Sequence, residues 1–288
     1  MKNKTALITG AASGLGFEFS KLLASDSYDL YLVDIDQKLL DTTKNYLQER
    51  YSTEVKLICK DLSCIDASKQ VFQLVNSTPV DVLINNAGFG LFGPFTDTSW
   101  QREHDMLNLH IMTTTQMTKL FLKGMVKRQS GKILNVSSLA AFEPGPLMSI
   151  YYASKAYILS FSEAVSNELK GTGVSLTTLC PGPTKTRFQN VVANSSSKNK
   201  IKMNMASAKH VAVIGYKAML SGKEIAIPGL LNKVLAFLPR LIPRNKVTAL
   251  VRIIQEKNRA KQLNYNNIKT YNHENKNIKG NRLSKLHF

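Results

Sequence analysis

The sequence has few cysteines and no long apolar run. Only three cysteines occur among its 288 residues, Cys59, Cys64 and Cys180, and their spacing matches neither a zinc site nor a redox pair. We therefore expect no metal, and the odd count favours reduced thiols and a cytoplasmic location. The first apolar run is too short for a signal peptide, and no run of about 20 apolar residues predicts a membrane span.

Acidic residues are scarce in the last third of the chain. Residues 191–288 hold 19 of the 38 Lys and Arg but only 3 of the 20 Asp and Glu, so most of the net charge of +18 arises there. The preceding residues are close to neutral. A basic segment attracts nucleic acid through phosphate charge, but no aromatic side chains are interleaved at a reading spacing, so we expect no specific nucleic-acid partner.

Short apolar runs alternate with helical patterns over the first 230 residues. Near-continuous apolar strands imply burial on both faces, which favours an α/β fold with a doubly wound parallel sheet in three layers. The runs that predict its seven strands are 4–9, 29–34, 54–60, 80–85, 131–137, 173–179 and 224–227. The helices predicted between them are 14–25, 37–51, 64–76, 99–128, 152–170 and 207–221.

Beyond residue 230 the composition changes. We expect one domain over 1–230, a basic amphipathic helical extension over 231–263, and an Asn- and Lys-rich disordered tail over 264–288. Residues 230–254, at the start of this region, alternate apolar clusters with basic side chains. Such pieces lie on an anionic membrane surface, cap the domain or build a subunit interface, and the sequence leaves these alternatives open.

A glycine-rich segment, TGAASGLG at 9–16, follows the first predicted strand and opens the first helix. Gly10, Gly14 and Gly16 allow a tight turn and close approach of a diphosphate to backbone N–H groups at the helix amino terminus. Asp34 ends the second strand, where a carboxylate binds the ribose hydroxyls of an adenosine. Because this charge repels a 2′-phosphate, Asp34 favours NAD over NADP. A structural turn beside a solvated aspartate is the alternative.

Another motif, YYASK at 151–155, places two tyrosines near a lysine. Lys155 is four residues after Tyr151 and three after Tyr152, so helix geometry alone does not choose the tyrosine that works with it. The segments NNAG (85–88) and NVSS (135–138) each end a predicted strand. In doubly wound sheets, ligands bind at such carboxyl ends.

These motifs resemble those of the short-chain dehydrogenase/reductase family, in its compact single-domain branch. The resemblance covers residues 4 to about 230 and includes DL at 61–62, Asn108 and PGPTKT at 181–186, all in family order. It implies a Rossmann fold and an NAD(P)-dependent oxidoreductase that acts on a carbonyl or alcohol. The family's Y-x-x-x-K pattern and its serine thirteen residues upstream select Tyr151 with Ser138.

The resemblance also implies the roles of the site residues. Tyr151 is the proton donor, Lys155 lowers the pKa of the tyrosine and holds the nicotinamide ribose, Ser138 orients the carbonyl, and Asn108 anchors a water. Tyr152 and Ser137 become structural neighbours. The residues expected to bind the cofactor are Gly10, Ser13, Gly14, Leu15, Gly16, Asp34, Asp61, Leu62, Asn86, Ala87, Gly88, Tyr151, Lys155, Pro181, Gly182 and Thr184.

The substrate and partners are less defined. Apolar residues follow NNAG and precede Tyr151, which favours an apolar ketone or alcohol over the alternative that these residues belong only to the core. We expect a homodimer or homotetramer. A rival function is a dinucleotide-sensing protein that has lost the chemistry, but such a protein has no need of the four residues of the catalytic set together.

Overall fold

A seven-stranded parallel sheet forms the centre of the molecule. The computed structural model describes residues 4–75, 78–186 and 205–257. The strands of the sheet are β1 Thr5–Thr9, β2 Asp29–Asp34, β3 Val55–Cys59, β4 Val82–Asn85, β5 Gly131–Val136, β6 Val174–Leu179 and β9 Ile225–Ala226. Their order is β3-β2-β1-β4-β5-β6-β9, with every neighbouring pair parallel. This confirms the predicted fold class.

Helices cover both faces of the sheet. The α-helices are α1 Gly14–Ser25, α2 Gln37–Gln48, α3 Ala67–Val75, α4 Trp100–Leu107, α5 Thr114–Lys127, α6 Ser149–Glu168, α7 Ala208–Leu220, α8 Leu230–Phe237 and α9 at 244–257. Short 3₁₀ turns occur at Leu139–Phe142 and Leu238–Arg240, and β7 Thr184–Lys185 pairs with β8 Ala206–Ser207. The described residues contain no helix that is long and apolar enough to cross a membrane.

Each central strand is apolar on both sides because it separates two core layers. In β1, Ala6 and Ile8 pack into the layer that includes Phe19 of α1, whereas Leu7 packs into the opposite layer with Met117 of α5. This two-sided burial is why the parallel strands read as continuous apolar runs in the sequence.

The strand order reverses between β1 and β4. From β1 the sheet extends to β2 and β3 on one side and to β4, β5 and β6 on the other. Loops that leave the carboxyl ends of adjacent strands diverge at such a point and leave a crevice, where ligands bind in open α/β sheets. The glycine loop, NNAG and NVSS all follow strands next to this point.

The helix predicted over 99–128 is interrupted. A π-helical turn, Asn108–Thr113, separates α4 from α5 and inserts one extra residue into the helical path. The carboxyl-terminal extension forms α8 and α9 over the residues described, while the tail predicted over 264–288 lies outside them.

Candidate active site

The glycine loop adopts the turn that its sequence predicts. Gly10 and Gly14 have left-handed backbones, with φ of +62° and +55°, a conformation that favours glycine. A Cβ at Gly16 would overlap the Gly10 carbonyl. The Asn86 amide fixes this turn by donating to the carbonyls of Thr9 at 2.9 Å and Gly10 at 3.1 Å.

The Asp34 carboxylate lies against this loop from the end of β2. Its Oδ2 accepts a hydrogen bond from the Ala12 N–H at 2.9 Å, and its Oδ1 accepts one from the Asp36 N–H at 3.2 Å. Ser13 is the N-cap residue of α1, and Leu15 packs against the core. A left-handed glycine turn at a helix amino terminus with an adjacent carboxylate fits the adenosine diphosphate half of a nicotinamide dinucleotide.

The other predicted cofactor residues on this side stabilise loops. Asp61 Oδ1 accepts hydrogen bonds from the backbone N–H and the hydroxyl of Ser63, at 2.9 and 2.6 Å. The Leu62 carbonyl accepts from Thr113 Oγ1 at 2.7 Å, which joins the loop after β3 to the π-helical turn. The Ala87 N–H donates to Thr9 Oγ1 at 3.0 Å.

Tyr151, Ser138 and Lys155 lie together at the carboxyl end of β5. The Ser138 side chain lies beside that of Tyr151 and acts to lower its pKa, and Ser138 Oγ accepts from the Ala140 N–H at 3.1 Å. Lys155 Nζ lies 5.8 Å from the centre of the Tyr151 ring and donates to the Val136 carbonyl at 3.0 Å. The structure therefore brings three of the four predicted catalytic side chains to one place.

Burial shifts both titrating groups towards their neutral forms. It raises the pKa of Tyr151 to about 12, against the opposing effect of the Ser138 hydrogen bond, and lowers the pKa of Lys155 to about 8. The tyrosine is thus a protonated acid at neutral pH. The resemblance led us to expect that Lys155 lowers the pKa of Tyr151, whereas in the protein by itself burial raises that pKa.

The second tyrosine points to a different partner. Tyr152 Oη accepts a hydrogen bond from Gln255 Nε2 of α9 at 2.9 Å, and a Cβ at Gly145 would collide with the Tyr152 ring. Ser137 Oγ donates to the Lys155 carbonyl at 2.8 Å, which ties β5 to α6. These contacts give Tyr152 and Ser137 structural roles next to the site.

Asn108 is the first residue of the π-helical turn, which packs against α6, the helix of Tyr151 and Lys155. The Asn108 amide lies 3.4 Å from His104 Nδ1. The structure therefore places Asn108 on the element next to α6.

His110 is a site residue that the sequence reading missed. The Phe89 N–H donates to His110 Nε2 at 3.2 Å, so Nδ1 carries the proton and donates to Ser154 Oγ at 2.8 Å. Ser154 Oγ in turn donates to the Tyr151 carbonyl at 2.8 Å. Burial, together with the nearby Lys155, holds the pKa of His110 well below its usual value, so the ring is neutral. A histidine within a helical pattern gave no signal for this bridge.

The NNAG turn lies next to the hydrogen bonds of His110. A Cβ at Gly88 would lie 2.8 Å from His110 Nε2 and 3.6 Å from Lys155 Nζ. Any larger residue at position 88 would therefore push against the lysine or the histidine.

The loop after β6 meets both the site and the extension. The Pro181 carbonyl accepts from the Leu139 N–H at 2.9 Å, and Thr184 Oγ1 donates to the Gly182 carbonyl at 2.8 Å. A Cβ at Gly182 would lie 2.7 Å from Asn232 Nδ2 of α8. Cys180, immediately before this loop, is fully buried, and burial raises the pKa of its thiol to about 12.

A small cavity lies beside Tyr151. Five of its ten lining residues are large apolar ones, Leu91, Met106, Leu147, Met148 and Ile150. The polar groups of the lining include Thr98, Glu103 and Tyr151 itself.

Comparisons with known proteins agree with this geometry. A model of the family described as short chain dehydrogenase matches residues 4–200. The ketoacyl reductase HetN of Nostoc sp. is 33% identical over 63% of this chain and 64% of its own length. The 17-beta-hydroxysteroid dehydrogenase type 3 of Mus musculus is 31% identical over 72% of this chain and 69% of its own length. The chain spans between half and two-thirds of the length of the first curated relatives that it matches.

Solved structures share the fold. The short-chain dehydrogenase of Sphingobium yanoikuyae in complex with NADPH has a TM-score of 0.73 at 24% identity, covering 84% of this chain and 97% of that one. A 7beta-hydroxysteroid dehydrogenase has a TM-score of 0.78 at 23% identity, covering 86% and 96%. The sheet, the glycine loop and the family match together show that the chain belongs to the short-chain dehydrogenase/reductase family.

Proposed function

We propose that this protein is an NAD(P)-dependent oxidoreductase that transfers hydride between a nicotinamide cofactor and the carbonyl or alcohol of an apolar substrate. The observation that carries the proposal is that Ser138, Tyr151 and Lys155 lie together, with Lys155 Nζ 5.8 Å from the centre of the Tyr151 ring. These groups lie at the carboxyl edge of the sheet, near the glycine loop.

The residues divide the work as follows. The dinucleotide, when bound, supplies or accepts the hydride. In carbonyl reduction the Tyr151 hydroxyl donates its proton to the oxygen that gains negative charge, and in alcohol oxidation the Tyr151 phenolate accepts the proton of the alcohol. Ser138 Oγ, which lies beside the same phenol, orients that oxygen. Lys155 binds the nicotinamide ribose, and Asn108 anchors a water that connects the lysine to solvent.

NAD is the proposed cofactor of preference. The Asp34 carboxylate already accepts from the Ala12 N–H of the glycine loop, so its negative charge lies next to the expected ribose position. A 2′-phosphate there would meet a like charge.

The substrate class rests on the apolar lining of the cavity beside Tyr151. Relatives are named as a ketoacyl reductase, very-long-chain 3-oxoacyl-CoA reductases and a hydroxysteroid dehydrogenase. We extend that chemistry to this chain as a fatty-acyl or steroid-like ketone or alcohol. A cytoplasmic location with peripheral membrane contact, and assembly as a homodimer or homotetramer, complete the proposal.

The two tyrosines provide the test. A panel of apolar ketones and alcohols is offered with NADH, NADPH and their oxidised forms, and turnover is followed by the absorbance of reduced nicotinamide. Tyr151→Phe removes only the hydroxyl and should lower the rate by about 10²–10⁴-fold, while cofactor binding is retained.

Tyr152→Phe is the matched control, because its hydroxyl bonds Gln255 rather than Ser138, and it should remain active. An inactive Tyr152→Phe beside an active Tyr151→Phe would overturn the assignment of the acid. Cofactor binding with no turnover on any compound would favour the dinucleotide-sensing protein instead.

A further inference from the structure

In the structure the extension begins one residue earlier than predicted, at Leu230, and is described to residue 257. Its inner face contacts the active site. Ala236, Val247, Val251 and Gln255 are buried. Gln255 donates to Tyr152, the neighbour of the catalytic tyrosine, and α8 packs on the turn that follows Ser138. The inner face therefore forms part of the wall around the site.

Its outer face exposes large apolar side chains. Of the nineteen exposed large apolar residues in the described part of the chain, ten fall in this extension. They are Leu230, Leu231, Val234, Leu235, Phe237, Leu238, Leu241, Leu250, Ile253 and Ile254. Within α8 most of them lie on the side away from the buried Ala236, and within α9 they flank the buried positions. An exposed apolar surface of this extent marks a site of interaction.

The positive charge of the extension favours a negatively charged binding partner. It carries six exposed basic residues and a single acid, Glu256. They are Lys233, Arg240, Arg244, Lys246, Arg252 and Lys257. The one acid pairs with Arg252 at 2.8 Å, so the surface keeps a strong positive excess.

Two copies of such a surface would place like charges opposite each other, which opposes a self-association interface. An anionic bilayer can bury the exposed apolar side chains in its hydrocarbon interior and attract the basic side chains to its negative surface. With neither α8 nor α9 able to span a membrane, this geometry is that of helices lying in the interface.

We propose that the extension is a docking cap whose outer face binds an anionic membrane surface while its inner face holds the active site beside the bilayer. An apolar substrate dissolved in that bilayer then reaches Tyr151 without crossing water. The substrate part rests on the proposed oxidoreductase function, whereas the docking part stands on the surface alone.

The docking part is tested by co-sedimentation of the full chain with vesicles of phosphatidylcholine alone and of phosphatidylcholine mixed with phosphatidylglycerol. The protein should bind the mixed vesicles and be released by high salt. Leu231→Glu should weaken binding by about ten- to a hundredfold, which corresponds to losing the burial of one leucine side chain.

Ile65→Glu is the matched control. Ile65 is 79% exposed and Leu231 is 70% exposed, but Ile65 lies outside the extension, so its variant should bind as the unaltered protein does. Both variants should keep the melting temperature. Equal loss in both variants, or no binding to anionic vesicles, would overturn the proposal. A soluble oligomer that Leu231→Glu dissociates would assign the face to a second copy.

The substrate part is tested with two ketones, one water-soluble and one carried in the mixed vesicles. Leu231→Glu should lower kcat/KM for the vesicle-borne ketone and leave that for the soluble ketone unchanged. A parallel loss on both ketones would overturn the coupling between docking and access. Absence of activity on every ketone, with vesicle binding intact, would refute the oxidoreductase proposal and leave the docking surface standing.

Discussion

Replacing the buried lysine by methionine should change how stability depends on pH. Lys155 is 5% exposed, and burial lowers its pKa from the ordinary 10.5 to about 8. One pKa unit corresponds to about 1.4 kcal/mol, so keeping the ammonium charged in the core costs the fold about 3 kcal/mol near pH 7. Lys155→Met removes this cost together with the expected catalytic function.

The sign follows from the lowered pKa. The folded state binds fewer protons than the unfolded state between about pH 8 and 10.5, so wild-type stability falls as the pH drops through that range. Relative to the wild type, Lys155→Met should therefore be most favoured at neutral pH. That advantage should shrink by about 2 kcal/mol between roughly pH 7 and 10.

The variant also leaves the Val136 carbonyl without its hydrogen bond from Nζ. That loss is an offset of about 1–3 kcal/mol that does not vary with pH, so the trend rather than the absolute difference is the test. Urea denaturation of the apo protein, followed by circular dichroism at several pH values, measures it. Lys170→Met is the control, because the Lys170 side chain is 65% exposed. A constant difference between Lys155→Met and the wild type across the pH range would refute the reasoning.

Three further outcomes are expected. Asp34→Ala should narrow the gap between NAD(H) and NADP(H) affinities measured by titration, and tighter binding of NADP(H) to the unaltered protein would contradict the proposed preference. Truncation after Leu263 should leave the melting temperature and turnover unchanged, since the tail is polar and carries no site residue; a fall in either would show that it docks on the domain. His110→Phe should lower the free energy of unfolding by on the order of 2–4 kcal/mol, because the buried Ser154 hydroxyl and the part-buried Phe89 N–H lose their hydrogen bonds, and urea denaturation that shows no loss would argue against the bridge.

Much of the fold could be predicted because the central parallel strands are buried on both faces. All seven predicted strands occur in the sheet, and helix α1 runs over 14–25 as predicted. The π-helical turn at Asn108–Thr113 was not predicted, since the change from i→i+4 to i→i+5 bonding has no signature in composition. The break in the long helix therefore emerged only from the structure.

The candidate site likewise contains residues that the sequence predicted and residues that only the structure shows. The sequence motifs named Ser138, Tyr151 and Lys155, and the structure brings them together, because each motif follows a strand end or lies on one helix. The partner of Tyr152 lies 103 residues away at Gln255, and no local pattern links two positions at that distance. The role of His110 depends likewise on Phe89 and Ser154, which only the packing of three elements brings near it.

The buried thiol of Cys180 can report when the loop after β6 opens, the loop that we propose contacts the nicotinamide. Cys59 and Cys64 are exposed and react with a thiol reagent at once, whereas Cys180 reacts only when its surroundings open. Its backbone N–H bonds the Ala226 carbonyl at 2.8 Å, so exposure requires separation of β6 from the edge strand β9 or movement of the loop. The rate at which the Cys180 thiol is labelled thus gives the free energy of that local opening. A slower rate after addition of dinucleotide would measure how strongly the ligand closes the loop.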